Sequence, residues 1–330
     1  MRALVTGTAG FVGGHLLRLL CRLGHEPHAL VLYHETLGPE HRGLATHRAS
    51  VTDYAALESA LADARPDWIF HLAAISRPAD CKANPALARE VNVAGTENLY
   101  RAAAAVSPKA RVLFVGSAAE YGRSASSAPV TEDAPLNPPD VYAETKVAGD
   151  LLGAEFTRDG RLAVLRVRPF NHTGPGQEPG FAAPDFARQI VRVEAGLQEP
   201  VIRVGNLTAE RDFTDVRDVV RAYVLVMEKG ASGGVYNVCS GKAVPIRAIL
   251  DGLLAASTAR PEVVSSTAKM GTVPLTALGG QSPFSSSPDI LVGSFARLHA
   301  ATGWTPEIPL SQTLSDLLAD WRDRVGRETR

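Results

Sequence analysis

The feature that most constrains the fold is an alternation. Short apolar runs at residues 3–6, 29–32, 68–71, 112–115 and 162–167 are separated by amphipathic stretches at 11–23, 54–64, 86–105 and 141–158. The runs carry Val, Leu and Ile on both alternate positions, as strands buried on both faces do. The stretches between them have helical periodicity. Strand–helix alternation with continuous apolar strands predicts an α/β fold, a Rossmann-type doubly wound parallel sheet. Such sheets bind ligands just outside the carboxyl ends of their strands, so the residues at those ends are the first candidates for chemistry.

The second half is less regular. Residues 168–180 hold three prolines and three glycines and read as a loop. Helices are expected at 185–196, 216–229, 246–256 and 310–324, the second of them opened by Thr214 or Asp215 as N-cap. Residues 265–287, dense in Ser, Thr, Gly and Pro, read as an exposed loop, partly disordered.

Composition narrows the partners. The net charge of −1 gives no broad positive field for nucleic acid or an anionic membrane. Cys21, Cys81 and Cys239 are odd in number, far apart and in no CxxC spacing, which argues against a disulfide framework or a metal site and for a reducing cytoplasm. The N-terminus lacks the long apolar region of a signal peptide, and no apolar run approaches the length of a bilayer span.

TGTAGFVGGHL, residues 6–16, follows the first strand directly and opens the first helix. Gly7, Gly10 and Gly13 give the spacing GxxGxxG. Glycine there permits a tight turn and close approach of a pyrophosphate, and the helix N-terminus offers free N–H groups and positive dipole. The end of the second strand should choose between NAD and NADP, by an acid or an Arg respectively. It reads Leu-Val-Leu-Tyr-His-Glu from Leu30 to Glu35. Glu35 falls slightly late for the acid, and His34, His41 and Arg42 are the candidates for a phosphate, so both cofactors stay open.

The fourth run breaks in RVLFVGSAAEYG, 111–122, which places Ser117 at a strand end. Tyr142 and Lys146 follow in YAETK, four apart and therefore on one helical face. An ammonium beside a phenol stabilises phenolate and is expected to lower the Tyr142 pKa, so that Tyr142 can exchange a proton. Ser117 can hydrogen-bond a substrate oxygen.

These motifs resemble those of the extended short-chain dehydrogenase/reductases that modify nucleotide sugars. The resemblance rests on TGTAGFVG, HLAA at 71–74, VNVAGT at 91–96, Ser117, YAETK, RPFN at 168–171 and RDFTDVRD at 211–218. Within that family, NHTGPGQ at 171–177, AERDFTDVRDVVRAYV and YNVCSGKA at 236–243 are most similar to the GDP-4-keto-6-deoxy-D-mannose reductases.

The resemblance implies Ser117, Tyr142 and Lys146 as the catalytic triad and NADP(H) or NAD(H) as cofactor. It implies a nucleotide-sugar substrate and a homodimer. It also implies a dinucleotide-binding domain over 1–168 that regains a segment around 205–235, with a smaller, discontinuous substrate-binding domain mainly in 169–330. Gly7, Gly10, Phe11, Val12 and Gly13 would hold the dinucleotide, with Ser50, Val51, Leu72, Ala73, Ala74, Asn92, Tyr142 and Lys146. Asn92 has two readings, support for an active-site water or the lysine, or plain packing. Ser117, Asn171 and Arg211 would meet the substrate, Arg211 at its diphosphate.

Dehydratases of the family are similar to one another in carrying acids just after the catalytic Ser or Thr. Here Ala118 and Ala119 stand there, and Glu120, one step on, is expected to point elsewhere. The implied reaction is reduction of the C4 ketone of a GDP-4-keto-6-deoxyhexose, giving GDP-D-rhamnose or a relative. A nucleotide-sugar 4-epimerase with tightly held NAD is the alternative, and a non-catalytic dinucleotide module a third. Three positions depart from the reductase pattern: no Arg near Leu32, Ser50 where an Asp is usual, and no Arg shortly before Gly293-Ser294.

Overall fold

The computed structural model describes residues 1–122, 128–265 and 290–328. Its strands are β1 (Arg2–Thr6), β2 (Glu26–Val31), β3 (Ala45–Arg48), β4 (Trp68–His71), β5 (Arg111–Val115), β6 (Ala163–Pro169), β7 (Asn171–Thr173), β8 (Val201–Val204), β9 (Glu210–Asp215), β10 (Val235–Val238), β11 (Ala243–Pro245), β12 (Glu262–Ser265) and β13 (Ile290–Leu291). Its helices are α1 (Phe11–Arg22), α2 (Tyr54–Ala64), α3 (Pro78–Ala83), α4 (Pro85–Arg89), α5 (Gly95–Val106), α6 (Val141–Arg158), α7 (Ala182–Glu194), α8 (Val216–Lys229), α9 (Ile246–Ala255), α10 (Ala296–Thr302) and α11 (Leu310–Glu328).

Seven strands form one sheet in the order β10-β6-β5-β4-β1-β2-β3, and every pairing in it is parallel. Side chains alternate across it. Ala3, Val5, Phe70, Leu113 and Val167 pack against Leu16, Leu17 and Leu20 of α1 and Val219, Tyr223 and Met227 of α8. Leu4, Ile69, Val112, Phe114 and Val164 face the other way, onto Leu57 and Leu61 of α2, Leu99 and Tyr100 of α5 and Phe156 of α6. That is the two-sided burial the apolar runs imply. A separate core joins α7, α9 and α11 to β8 and β9.

The differences from expectation lie at the edges. β3 and β10, the two outer strands, carry no continuous apolar signal. The chain at 86–105 is not one helix: α4 and α5 are joined by a π-helical turn, Glu90–Ala94, which turns Asn92 inward. The stretch at 168–180 is not all loop, because β6 runs to Pro169 and β7 pairs with β9. Asp215 is the N-cap of α8, its carboxylate accepting from Arg217 N. Of the stretch expected at 265–287, residues 266–287 lie outside the described residues. No helix among the described residues is long and apolar enough to cross a membrane.

α6 lies unusually close to the sheet. A Cβ on Gly149 would come within 2.5 Å of the Phe114 ring, so only glycine lets the helix settle there. That approach brings the first turns of α6 to the carboxyl end of β5.

Candidate active site

Gly7 turns the chain out of β1 with φ +70°, and a Cβ there would stand 2.9 Å from Ala73 N. A Cβ on Gly13 would meet Gly7 O at 2.4 Å and Thr8 Cα at 2.7 Å. Gly10 is the N-cap of α1 and no side chain caps the helix, so the N–H groups of Phe11, Val12 and Gly13 have no intrahelical acceptor. A glycine turn under an uncapped helix end, at the carboxyl edge of a parallel sheet, fits a dinucleotide diphosphate.

The neighbouring HLAA segment is tied to β1 by one directed chain. Thr96 Oγ1 donates to Asn92 O at 2.6 Å, so it must accept from His71 Nε2 at 2.9 Å. His71 Nδ1 is then the ring's acceptor and takes the Thr6 hydroxyl proton at 3.0 Å. Thr6 Oγ1 in turn accepts from Leu72 N at 3.1 Å and Ala73 N at 3.0 Å. Burial, with the Lys146 charge adding to it, pushes His71 down to about 3, so the ring is neutral at ordinary pH.

Asn92 accepts from Ile75 N at 2.7 Å and donates to Ile75 O and to Thr145 Oγ1, each at 3.0 Å. Both its amide protons are thereby used. It fixes the loop after β4 against the residue preceding Lys146.

Ser117 follows β5 and is the N-cap of a 3-10 turn, Ala118–Tyr121. Tyr142 and Lys146 stand one turn apart on α6, whose N-cap Asp140 accepts from Ala143 N. The Tyr142 hydroxyl lies beside the Ser117 side chain. Lys146 Nζ donates to Val115 O at 2.9 Å. Burial pulls Lys146 down to about 8, with Glu120 acting against it. Tyr142 moves opposite to the sequence-based expectation. Burial pushes it up to about 12, the neighbouring Ser117 hydroxyl works against the shift, and Glu120 adds to it. Desolvation outweighs the effect of the lysine, whose ammonium is held on a carbonyl.

Glu120 does not point elsewhere. Its Oε1 accepts from Ser117 N at 2.8 Å, and the residue is fully buried. The pattern Ser-x-x-Glu is a capping box, a signal available in the sequence.

On the opposite side, Asn171 is exposed on β7 and pairs with Phe213 of β9. Arg211 lies two residues earlier on β9, which puts it on the same sheet face as Asn171; its Nη1 donates to Glu210 O at 2.8 Å. The buried Asp212 between them accepts from Ser240 N at 2.7 Å, Gly241 N at 2.9 Å and Gly293 N at 3.2 Å. Asp212 was not a sequence candidate, and it ties β9 to the Gly293 turn.

The remaining candidates lie past the carboxyl ends of β2 and β3. Ser50 Oγ shares a hydrogen bond with Thr52 Oγ1 at 2.8 Å, and the Val51 side chain is buried against Gly95. Glu35 folds back to accept from Leu32 N at 2.8 Å, and Arg48 donates to the carbonyls of Leu32, Tyr33 and Glu35. Beside them is a cleft of about 290 Å³ that includes His41 and Arg42. Another cleft, about 700 Å³, lies at the β10 edge among Glu132, Arg166, Arg297 and Tyr236, and holds none of the candidate residues.

The chain matches the NAD dependent epimerase/dehydratase family over residues 3–239. It belongs to that family. It is 35% identical over 328 residues, 99% of each chain, to the GDP-6-deoxy-D-mannose reductase of Pseudomonas aeruginosa. Its fold is similar to that of RMD from Pseudomonas aeruginosa complexed with NADPH: TM-score 0.83, 32% identity, 98% of this chain and 100% of that one. The UDP-glucose 4-epimerase of Thermus thermophilus in complex with NAD is equally similar in fold, TM-score 0.83, at 25% identity over 98% and 99% of the two chains. As a member of the epimerase/dehydratase family, the chain has its glycine turn and its Ser-Tyr-Lys cluster inside the matched span.

Proposed function

We propose that the protein is an oxidoreductase that reduces the C4 ketone of a GDP-4-keto-6-deoxyhexose with NADPH or NADH, giving GDP-D-rhamnose or a related GDP-6-deoxysugar. The observation that carries the reading is Tyr142 beside Ser117 and one helical turn from buried Lys146, with alanines at 118 and 119. The end-to-end similarity to a GDP-6-deoxy-D-mannose reductase supports the choice of sugar.

The nicotinamide, when bound, supplies the hydride. The chain supplies the rest. The glycine turn and the N–H groups of Phe11, Val12 and Gly13 bind the diphosphate, with Leu72, Ala73 and Ala74 alongside. Ser117 donates a hydrogen bond to the carbonyl oxygen and polarises it. Tyr142, with its pKa pushed to about 12, is protonated at working pH and delivers that proton to the oxygen as negative charge develops there. Lys146 keeps a positive charge beside the pair. With Ala118 and Ala119 in place of acids, no side chain at those two positions can remove water across the sugar. Asn171 and Arg211 bind the nucleotide sugar.

Residues 1–168 and the segment around 205–235 act as the dinucleotide side, and 169–330 mainly as the substrate side. The protein works in the cytoplasm as a homodimer joined through α5 and α6.

The test is a coupled assay with the product of a GDP-mannose 4,6-dehydratase, following oxidation of NADPH and NADH separately. Turnover lost in Tyr142→Phe with dinucleotide binding retained supports the reading; turnover kept in that variant refutes it. A 4-epimerase is the second reading, favoured by the equal fold similarity to an NAD-bound epimerase. It predicts protein purified with NAD bound and active without added cofactor.

A further inference from the structure

Glu120 is a carboxylate that the proposed chemistry does not use, buried against a residue that it does use. Its neighbours leave it little freedom. Oε1 accepts from Ser117 N at 2.8 Å while the Ser117 side chain accepts from Ala119 N at 3.1 Å, so the two residues cap the turn reciprocally. A Cβ on Gly116 would come within 2.3 Å of Oε1; the preceding residue must be glycine for the carboxylate to fold over it. Oε2 lies 3.0 Å from Arg168 Nε but makes no aligned hydrogen bond. The Arg168 guanidinium lies beside that oxygen, and the directed contact is the one to Ser117.

Arg168 is fixed independently, by Asp150 Oδ2 at 3.0 Å, the Tyr121 hydroxyl at 3.1 Å and Glu132 O at 3.3 Å. The charged and titratable groups around Glu120 are thus Arg168 from β6, Asp150 and Lys146 from α6, and Tyr121 from its own turn. Tyr142 feels the Glu120 charge as well.

A capping box on a four-residue turn works equally well in water. Burying its carboxylate carries a desolvation cost, and burial here adds rigidity at one atom pair. Ser117 is held extended, φ −160° and ψ 146°, with its side chain beside Tyr142. We infer that Glu120 is a positioning residue of the active site, whose buried carboxyl group holds the Ser117 backbone so that Oγ meets Tyr142. The inference rests on the Ser117–Tyr142 reading above.

Two substitutions separate reach from ionisation. Glu120→Gln keeps an oxygen at the same distance and removes the titratable proton, and it leaves Arg168 still paired with Asp150. Glu120→Asp keeps a carboxyl group and withdraws its oxygens by one methylene. Positioning predicts that E120Q keeps kcat within about 5-fold of wild type, whereas E120D loses about 10²-fold in kcat, the scale of a misplacement near 1 Å. In both, the sugar-nucleotide KM and the dinucleotide Kd should stay within about 3-fold, since neither site includes Glu120.

Crystal structures of the two full-length variants should show Ser117 displaced from Tyr142 in E120D and unmoved in E120Q. Equal losses in both variants, or a loss confined to E120Q, would overturn the inference, as would an unmoved Ser117 in E120D. If wild-type protein fails to reduce the GDP-keto sugar, the proposed reaction fails. The crystallographic comparison still decides the role of Glu120.

Discussion

Thr6→Val is the most exacting perturbation the site offers, because it changes shape very little and removes one hydroxyl. That hydroxyl donates to His71 Nδ1 and accepts from Leu72 N and Ala73 N. Thr6 and His71 are buried, 0% and 3% exposed, and Leu72 and Ala73 are half-buried. A buried polar group left unpaired costs about 1–3 kcal/mol. With three groups affected, two of them within reach of water, the variant should lose about 3–6 kcal/mol, a large share of the 5–15 kcal/mol typical of a folded domain. Thr6→Ser keeps the hydroxyl and should lose only about 1 kcal/mol for its methyl group.

The effect should also reach the glycine turn, since Ala73 N lies against Gly7. Dinucleotide affinity, followed by fluorescence titration, should fall in T6V and not in T6S. Urea denaturation of the three proteins gives the stabilities. If T6V and T6S lose the same stability and bind dinucleotide equally well, the directed chain from Thr6 to Asn92 is not what holds this segment.

Gly13→Ala puts a methyl group into the backbone of Gly7 and Thr8, so dinucleotide Kd should rise by at least about 10-fold in calorimetry, the turn having no side chain to move aside. Asp212→Ala strands three backbone N–H groups around Ser240, Gly241 and Gly293; a stability loss of about 2–4 kcal/mol is expected in chemical denaturation. Glu120 is pushed by burial from its ordinary 4.5 up to about 8. A carboxyl raised in the folded state contributes stability that is full below the unfolded value and is lost as pH rises through the folded one. The Tm of E120Q relative to wild type should therefore climb between pH 5 and 8, by at most about 1.4 kcal/mol of stability per pH unit. A flat difference would mean that Glu120 does not titrate there.

How much was legible depended on what each residue reports. β1, β4, β5 and β6 could be read because both their faces are buried, which leaves a continuous apolar run. β3, with Ala45, Thr46, His47 and Arg48 largely turned to solvent, carries no such record, and β10 is recognisable only once its partner β6 is known. Helical periodicity ran on through 86–105 because a single π turn adds residues without breaking the apolar pattern, and the inward turn of Asn92 was hidden with it.

Ser117, Tyr142 and Lys146 were legible from their order along the chain. Glu120 points back to Ser117 because the backbone there has already entered a 3-10 turn, which carries the side chain round. The Tyr142 shift was missed for another reason: spacing shows that a lysine is near, while only the packed structure shows how dry the phenol is and which atom the ammonium touches.

The position of β10 has a consequence for how the molecule is made. It completes the parallel sheet beside β6, yet it is synthesised only after the stretch carrying Asn171 and Arg211. While the ribosome is still adding that stretch, β6 presents an open edge with unpaired N–H and C=O groups. The seven-stranded sheet therefore cannot be obtained complete by stopping the gene after β6. A truncation there should give a product prone to aggregate, whereas one that ends beyond α8 and β10 carries every strand of the sheet.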